Sequence, residues 1–369
     1  MRMSNLGGWM MGALVAAGIG CAPNVASRVD TPGGATEPVF RVAQGAVTFI
    51  GFDSPRSRLV AATPRNLTVW DLQRRRVVCE YPFGGNPLSR ALVSGGRRLA
   101  AGFTVSGPGV QTYRTGLIDL ESGRITLLNP PANDYSALLA TTADGTRLIR
   151  ATSESAAKRV TVQMWRLSDD TLIDSTPFEP AASTSGHMAV SADGKRLAIG
   201  THNRSRENPS PTPPVGRVLI IDLVTHRLLT SFPTADIPRA MAFTPDGTQL
   251  LMGSDADAAV HVFTIQTGLE VATFGDPGGG VNAGRGVRRT IAMIQFVAGS
   301  SLVVTGSHGD PDIHIWDASQ RSLVRTITLD APPFALAIRP GGRQLAVGTS
   351  SGSVYVRDID DPPSPRPMP

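Results

Sequence analysis

Lysine is almost missing from this chain: Lys158 and Lys195 stand alone among 35 basic residues, the others being arginine. Those arginines are scattered through turns rather than gathered on one surface, which argues against a nucleic-acid binder. Cysteine is as scarce. Cys21 and Cys79 are too few for a disulfide framework or a zinc site. Cys79, inside the apolar run Val77-Val78-Cys79-Glu80-Tyr81, reads as a buried thiol. Aromatic residues make up only 5% of the chain. No nucleophile elbow of the Gly-x-Ser-x-Gly kind is read, and there is no His-Glu-x-x-His pattern. The Gly-rich stretch 279–286 lacks the Lys-Ser/Thr ending and strand-to-helix setting of a phosphate loop. No cofactor or metal is expected from these absences.

What the chain has in quantity is turn residues, 39 glycines and 29 prolines, set between short apolar runs. A hydrophobic fraction of 41% against 18% charge belongs to a folded protein. The stretch from Ala242 to Phe274 displays the pattern most clearly. Four apolar runs are separated there by Pro-Asp-Gly, Ser-Asp-Ala-Asp and Gln-Thr-Gly. Such runs are strands, and Asp246-Gly247 offers the positive φ angles of a tight hairpin. Four strands in about 40 residues have too little interior to stand alone, so the unit must lean on copies of itself.

The copies are present. A turn between first and second strands recurs at Asp53-Ser54, Gly95-Gly96, Asp144-Gly145, Asp193-Gly194, Asp246-Gly247, Ala298-Gly299 and Gly341-Gly342. Second strands follow as RLVAA, RLAAG, RLIRA, RLAIG, QLLMG, LVVTG and QLAVG, and third strands end at Asp71, Asp119, Arg166, Asp222, Thr264, Asp317 and Asp358, 41 to 56 residues apart. Seven third strands are followed by only six fourth strands, because the chain ends in PPSPRPMP. An orphan strand at 38–43 supplies the missing one. With Trp70-Asp71 and Trp316-Asp317 on third strands, the arrangement resembles a bacterial WD40-like or YVTN-like β-propeller. That resemblance implies an all-β fold: a seven-bladed β-propeller over residues 38–361, closed by an N-terminal strand completing the last blade. The Gly-His pair of regular WD40 repeats is not read ahead of the first strands, so the His–Asp network of that family is not expected. Closure leaves no exposed sheet stack at either end.

Residues 1–20 read as a secretion signal, with Arg2 followed by a short apolar run. The junction Ala17-Gly18-Ile19-Gly20-Cys21 resembles the lipobox of bacterial lipoproteins, with Gly18 in place of the usual aliphatic residue. The resemblance implies lipidation at Cys21 and a periplasmic or other extracytoplasmic, membrane-anchored location. Residues 21–37 are then a tether and 362–369 a Pro-rich tail.

In such a ring the loops between second and third strands share a face with the crossings between blades. His202, Asp255 and His308 occupy equivalent loop positions there, with Ser350 a fourth, and form the most enzyme-like set in the chain. Neighbouring sheets stack about 10 Å apart, too far for a shared metal unless loops bend inward. The pairs Asp255/Asp257 and Asp310/Asp312 read as turn caps rather than calcium ligands. His261 and His314, and also Trp70, Trp165 and Trp316, recur at fixed third-strand registers and read as packing. Arg204, Arg206 and Arg217 in one long insertion, with Arg285, Arg288 and Arg289 in another, form a basic lip suited to a carboxylate-rich or phosphate-bearing partner. The function expected is therefore non-catalytic: a monomeric propeller presenting its loops to another envelope protein. The alternatives are a lactonase-like propeller hydrolase using His202, Asp255 and His308, and a small-ligand sensor, for which aromatics are scarce.

Overall fold

The computed structural model describes residues 28–29, 39–42, 45–82, 90–93, 96–107, 110–129, 138–154, 159–179, 183–202, 216–254, 257–276 and 290–360. Apart from a 3-10 turn at Ser54–Arg56, its regular elements are strands. They form seven antiparallel sheets, the blades of a seven-bladed β-propeller. Blade one holds Phe49–Asp53, Arg58–Ala62, Asn66–Asp71 and Arg76–Pro82, and blade two Arg90–Val93, Arg98–Gly107, Val110–Asp119 and Ile125–Leu127. Blade three holds Leu138–Thr141, Arg147–Glu154, Arg159–Arg166 and Thr171–Phe178, and blade four Ser183–Val190, Arg196–His202, Gly216–Asp222 and Arg227–Thr234. Blade five holds Pro238–Phe243, Gln249–Ser254, Ala258–Thr264 and Glu270–Asp276, and blade six Met293–Phe296, Leu302–Ser307, Asp310–Asp317 and Ser322–Thr328. Blade seven takes three strands from the C-terminal end, Pro333–Ile338, Gln344–Thr349 and Ser353–Asp358.

First strands of successive blades touch one another and line the axis. Each blade buries both faces against its neighbours, and the hydrophobic residues fall into one cluster per interface. Second strands are accordingly apolar without alternation. The glycine that ends several of them marks where the next blade's first strand passes close. A Cβ on Gly348 would lie 2.2 Å from Val47 Cγ1, and one on Gly253 would lie 2.3 Å from the Ile291 carbonyl oxygen.

The seam lies between blades seven and one. Phe40–Arg41 pairs with Ser353–Asp358 as the fourth strand of blade seven, and Val39 and Val42 add backbone bonds to Val354 and Gly352. Phe40 is 0% exposed and packs on Trp70 of blade one, ring centroids 5.3 Å apart. The strand is shorter than the 38–43 expected, and a further one precedes it. Arg28–Val29, within the stretch expected as a tether, pairs with Phe40–Arg41 and lies beside the fourth strand of blade one.

Turn chemistry repeats on the opposite face. In Thr142–Gly145, Ser191–Gly194 and Thr244–Gly247 the hydroxyl donates to the aspartate and accepts the amide that follows the turn. Only the glycine has positive φ, so these are type I turns followed by a left-handed glycine rather than hairpins with two left-handed residues. The aspartate ending the third strand caps the next turn: Asp71, Asp119, Asp222 and Asp317 each accept two backbone amides. Four residues further on, Arg75, Gly123, Asp170, His226, Gly268 and Arg321 are all left-handed.

Fourth strands form the rim. In blades one, three, four, five and six a β-bulge leaves one residue of that strand unpaired: Val78, Ile173, Leu229, Val271 and Val324. A bulge twists an edge away from pairing with another chain, which offsets the hazard of an open apolar rim.

Two expectations follow. Phe40→Ala removes the side chain that joins the seam and is expected to cost about 3–5 kcal/mol in urea unfolding. Arg321 is exposed and left-handed, so Arg321→Gly is expected to raise stability by about 0.5–1 kcal/mol in the same assay.

Candidate functional site

In every blade the second strand ends, and the next blade's first strand starts, on one side of the disc. The loops between second and third strands and the crossings between blades therefore surround the central opening on that side. Around this mouth the first strands begin irregularly. In blades four, five and seven the pairing slips between Thr184 and Met188, Pro238 and Ala240, and Pro333 and Ala335. His187, Arg239 and Phe334 are among the residues left out of the ladder. A bulge of this kind redirects a side chain, and proline, having no N–H to donate, fits beside it.

These residues build a basic and aromatic mouth. Phe334 lies flat on His308 of blade six, ring centroids 4.6 Å apart at 15°. His308 is exposed as a residue, with one face of its ring stacked on Phe334. Burial first, and the Arg239 guanidinium second, hold its pKa below the ordinary histidine value, so the ring is neutral at pH 7. Across the opening a recess of about 250 Å³ is lined by residues of blades one to four, among them Thr48, Arg90, Leu138 and His187. Arg90 donates to Thr48 Oγ1 at 2.7 Å and to the Thr63 carbonyl at 3.1 Å. Burial pulls its pKa down to about 10, which leaves it charged at neutral pH. Nearby carboxylates are engaged with internal donors. Asp330 accepts from Ser351 and Ser353, and Asp236 from the Ile237 amide.

The residues singled out from the sequence are distributed as follows. His202 ends the second strand of blade four, opposite Gly216, whereas His308 belongs to blade six. Blade five stands between them. Asp255 lies outside the described residues, as do Cys21, Arg204, Arg206, Arg285, Arg288 and Arg289. Arg217 is the second residue of the third strand of blade four and donates to Ser231 Oγ of the same blade at 2.8 Å. Among the described residues no three His, Cys, Asp or Glu side chains converge as a metal site. The string Gly348-Thr349-Ser350-Ser351-Gly352 has the spacing of a nucleophile elbow, but it joins two antiparallel strands where an elbow leads into a helix.

Several local readings are corrected. Blade four does carry a Gly-His pair, Gly186-His187, at its bulge. His261 and His314 share a register without sharing a role. His261 bridges Glu270 at 2.8 Å and Asp257 at 3.2 Å, while His314 lies against Trp316. Cys79 is buried, 2% exposed, but it is disulfide-bonded rather than a free thiol. Trp70, Trp165 and Trp316 do pack against the preceding blade.

Sequence reasoning missed Arg90, His187, Arg239 and Phe334. One signal was available: Pro238-Arg239-Ala240 and Pro333-Phe334-Ala335 head two first strands with the same Pro-x-Ala pattern, and x is the displaced residue. Arg150 was also missed. At 0% exposure it takes the place that Ala61, Ile199 or Val347 fills in other blades. It donates to Gln163 and to Thr115 of blade two, and lies over the Trp165 ring.

No protein-family model matches the chain. A stretch of 122 residues, 33% of the chain, is 28% identical to Periodic tryptophan protein 2 of Saccharomyces cerevisiae. Another of 50 residues, 14% of the chain, is 40% identical to Protein NEDD1 of Bos taurus. The matches span 12% and 8% of those two proteins. The fold is of the WD40 type.

The mouth geometry has a spectroscopic consequence. In an NMR pH titration His308 should titrate below the ordinary histidine value. Phe334→Ala should move the midpoint upward by uncovering the ring, and Arg239→Gln should move it upward by less. An unshifted midpoint in Phe334→Ala would show that the stack does not govern this ring.

Proposed function

We propose that this protein is a non-catalytic binding propeller of the bacterial envelope, which grips an acidic segment of a partner protein at the mouth of its ring. The observation that carries the reading is the stack of Phe334 on His308 under the influence of the Arg239 guanidinium, with Arg90 held across the opening. Guanidinium groups recognise carboxylates through a planar fork and remain charged when partly desolvated. An aromatic ring beside them adds apolar contact area at low entropic cost. Arg90 is already oriented by Thr48 and the Thr63 carbonyl, so little ordering is needed on binding. The strands that precede Arg204 and Arg285 in the chain, Arg196–His202 and Glu270–Asp276, end on this side of the disc.

A fold of this type is a frequent platform for protein association, but fold alone does not assign a function. The hydrolase alternative needs His202, Asp255 and His308 to act on one bond. The blade between the two histidines, and the stacking of His308 on Phe334 with no carboxylate bonded to it among the described residues, favour binding over catalysis. The export component rests on residues 1–20.

The test is crosslinking in native membranes followed by recovery of the tagged full chain, comparing the parent with Arg239→Glu and with Arg285/Arg288/Arg289→Glu. Arg239→Glu is expected to lower partner recovery at least tenfold at moderate salt, with the melting curve unchanged. Equal recovery by both variants would remove the mouth from the binding surface.

A further inference from the structure

We propose that the edge of the disc opposite the mouth docks on an anionic phospholipid surface through an apolar arc of its rim. The bulges of the fourth strands set this arc. In blades three, four and six the bulge opposes two residues to one on the third strand. Both members of each pair are exposed: Leu172 and Ile173, Leu228 and Leu229, Leu323 and Val324. Blade five presents exposed Val271 at the same place, with Leu269 two residues earlier at 65% exposure. Val224, in the turn that leads to the fourth strand of blade four, is 60% exposed. Every large hydrophobic side chain exposed among the described residues belongs to this arc. Exposed apolar surface gathered in this way marks a docking site. Because the pairs occupy one register in successive blades, they lie at one height on the disc, where a flat surface meets them together.

Charge at this edge selects the occupant. Lys195, Arg227 and Arg321 are exposed among the apolar residues, and Arg75 and Arg76 are exposed at the matching turn of blade one. Carboxylates of the same edge are held by the protein itself. Asp222 and Asp317 accept backbone amides, Asp174 pairs with His226 at 2.7 Å, and Glu270 pairs with His261 at 2.8 Å. The whole chain carries a formal charge of +5. A recess of about 570 Å³ opens here between blades four and five, with Arg196, Leu229 and Gln266 among its walls. A guanidinium beside a leucine suits a phosphate headgroup and the first carbons of its acyl chains.

A lipid surface fits this chemistry better than a second copy of the chain. Apolar side chains enter the interfacial layer while arginine and lysine hold the phosphates above it. Two copies set face to face would bring surfaces of the same sign together, and the bulges oppose pairing of one rim strand with another. Docking on this edge turns the mouth away from the bilayer. The inference uses neither the mouth nor residues 1–20, so it stands apart from the function proposed above.

The test is flotation of the purified full chain with vesicles of mixed phosphatidylcholine and phosphatidylglycerol, and with vesicles of phosphatidylcholine alone. The parent is expected to partition at least about tenfold more strongly onto the anionic vesicles. A four-site variant, Leu228→Ser, Leu229→Ser, Leu323→Ser and Val324→Ser, is expected to lose at least about tenfold of that partitioning with its melting curve unchanged. Arg227→Gln and Arg321→Gln are each expected to cost about fivefold at low salt, a loss that shrinks as salt rises. Hydrogen exchange of the vesicle-bound parent is expected to slow at 171–174, 227–230, 269–272 and 321–325. Three outcomes would overturn the proposal: equal partitioning by the parent and all these variants, protection confined to the mouth or to residues 1–20, or a dimer in solution that the four-site variant dissolves.

Discussion

The packing of one sheet against the next holds this molecule together, and it must be satisfied seven times around a circle. Each blade alone is a four-stranded sheet with two apolar faces and no interior. Its stability comes from the hydrophobic cluster on either side, so an unclosed array would leave two such faces in water. The seam between blades seven and one is where closure has to be secured without a continuous chain of adjacent residues. Phe40 from the start of the ring chain and Trp70 from the first complete blade meet there, and Gly348 allows Val47 to approach closely enough for the interface to form.

The same requirement explains the irregularities. Buried faces demand apolar residues on both sides of a strand, and some of the polar residues inside the blades are bonded to one another. Arg150 with Gln163 and Thr115, and Trp316 Nε1 with Thr305 Oγ1 at 2.9 Å, are examples. Polar surface is concentrated at turns, where aspartates satisfy backbone amides on the outer side of the disc. On the mouth side the first strands of blades four, five and seven start with bulges. The displaced residues Arg239 and Phe334 face the mouth, while the prolines beside them pack against Gly200 and Gly306 of the preceding blades.

Much of the fold was legible because its signals are local. The turn aspartates, the glycines ending the second strands and the Trp-Asp pairs each reflect a short-range demand of backbone or cap. The orphan strand ahead of the first repeat could be matched to the missing fourth strand at the end by counting. The mouth was far less legible. His308 was found because it sits in a turn equivalent to others, yet its contact with Phe334 depends on a bulge in the next blade. Arg239 and Phe334 look like ordinary strand residues, and the Pro-x-Ala pattern that marks them acquires meaning only once the pairing slip is seen.

The sequence by itself determined the number of blades, their order and the closure of the ring, because each follows from spacing, turn chemistry and the need to bury two apolar faces. Only the tertiary structure decided which side chains gather at the opening. Thr48, Arg90, His187, Arg239, His308 and Phe334 come from six different blades, separated by tens of residues along the chain. Curvature of the ring brings them together, and the strand-start bulges help set their directions, which a pattern of apolar and polar residues does not encode.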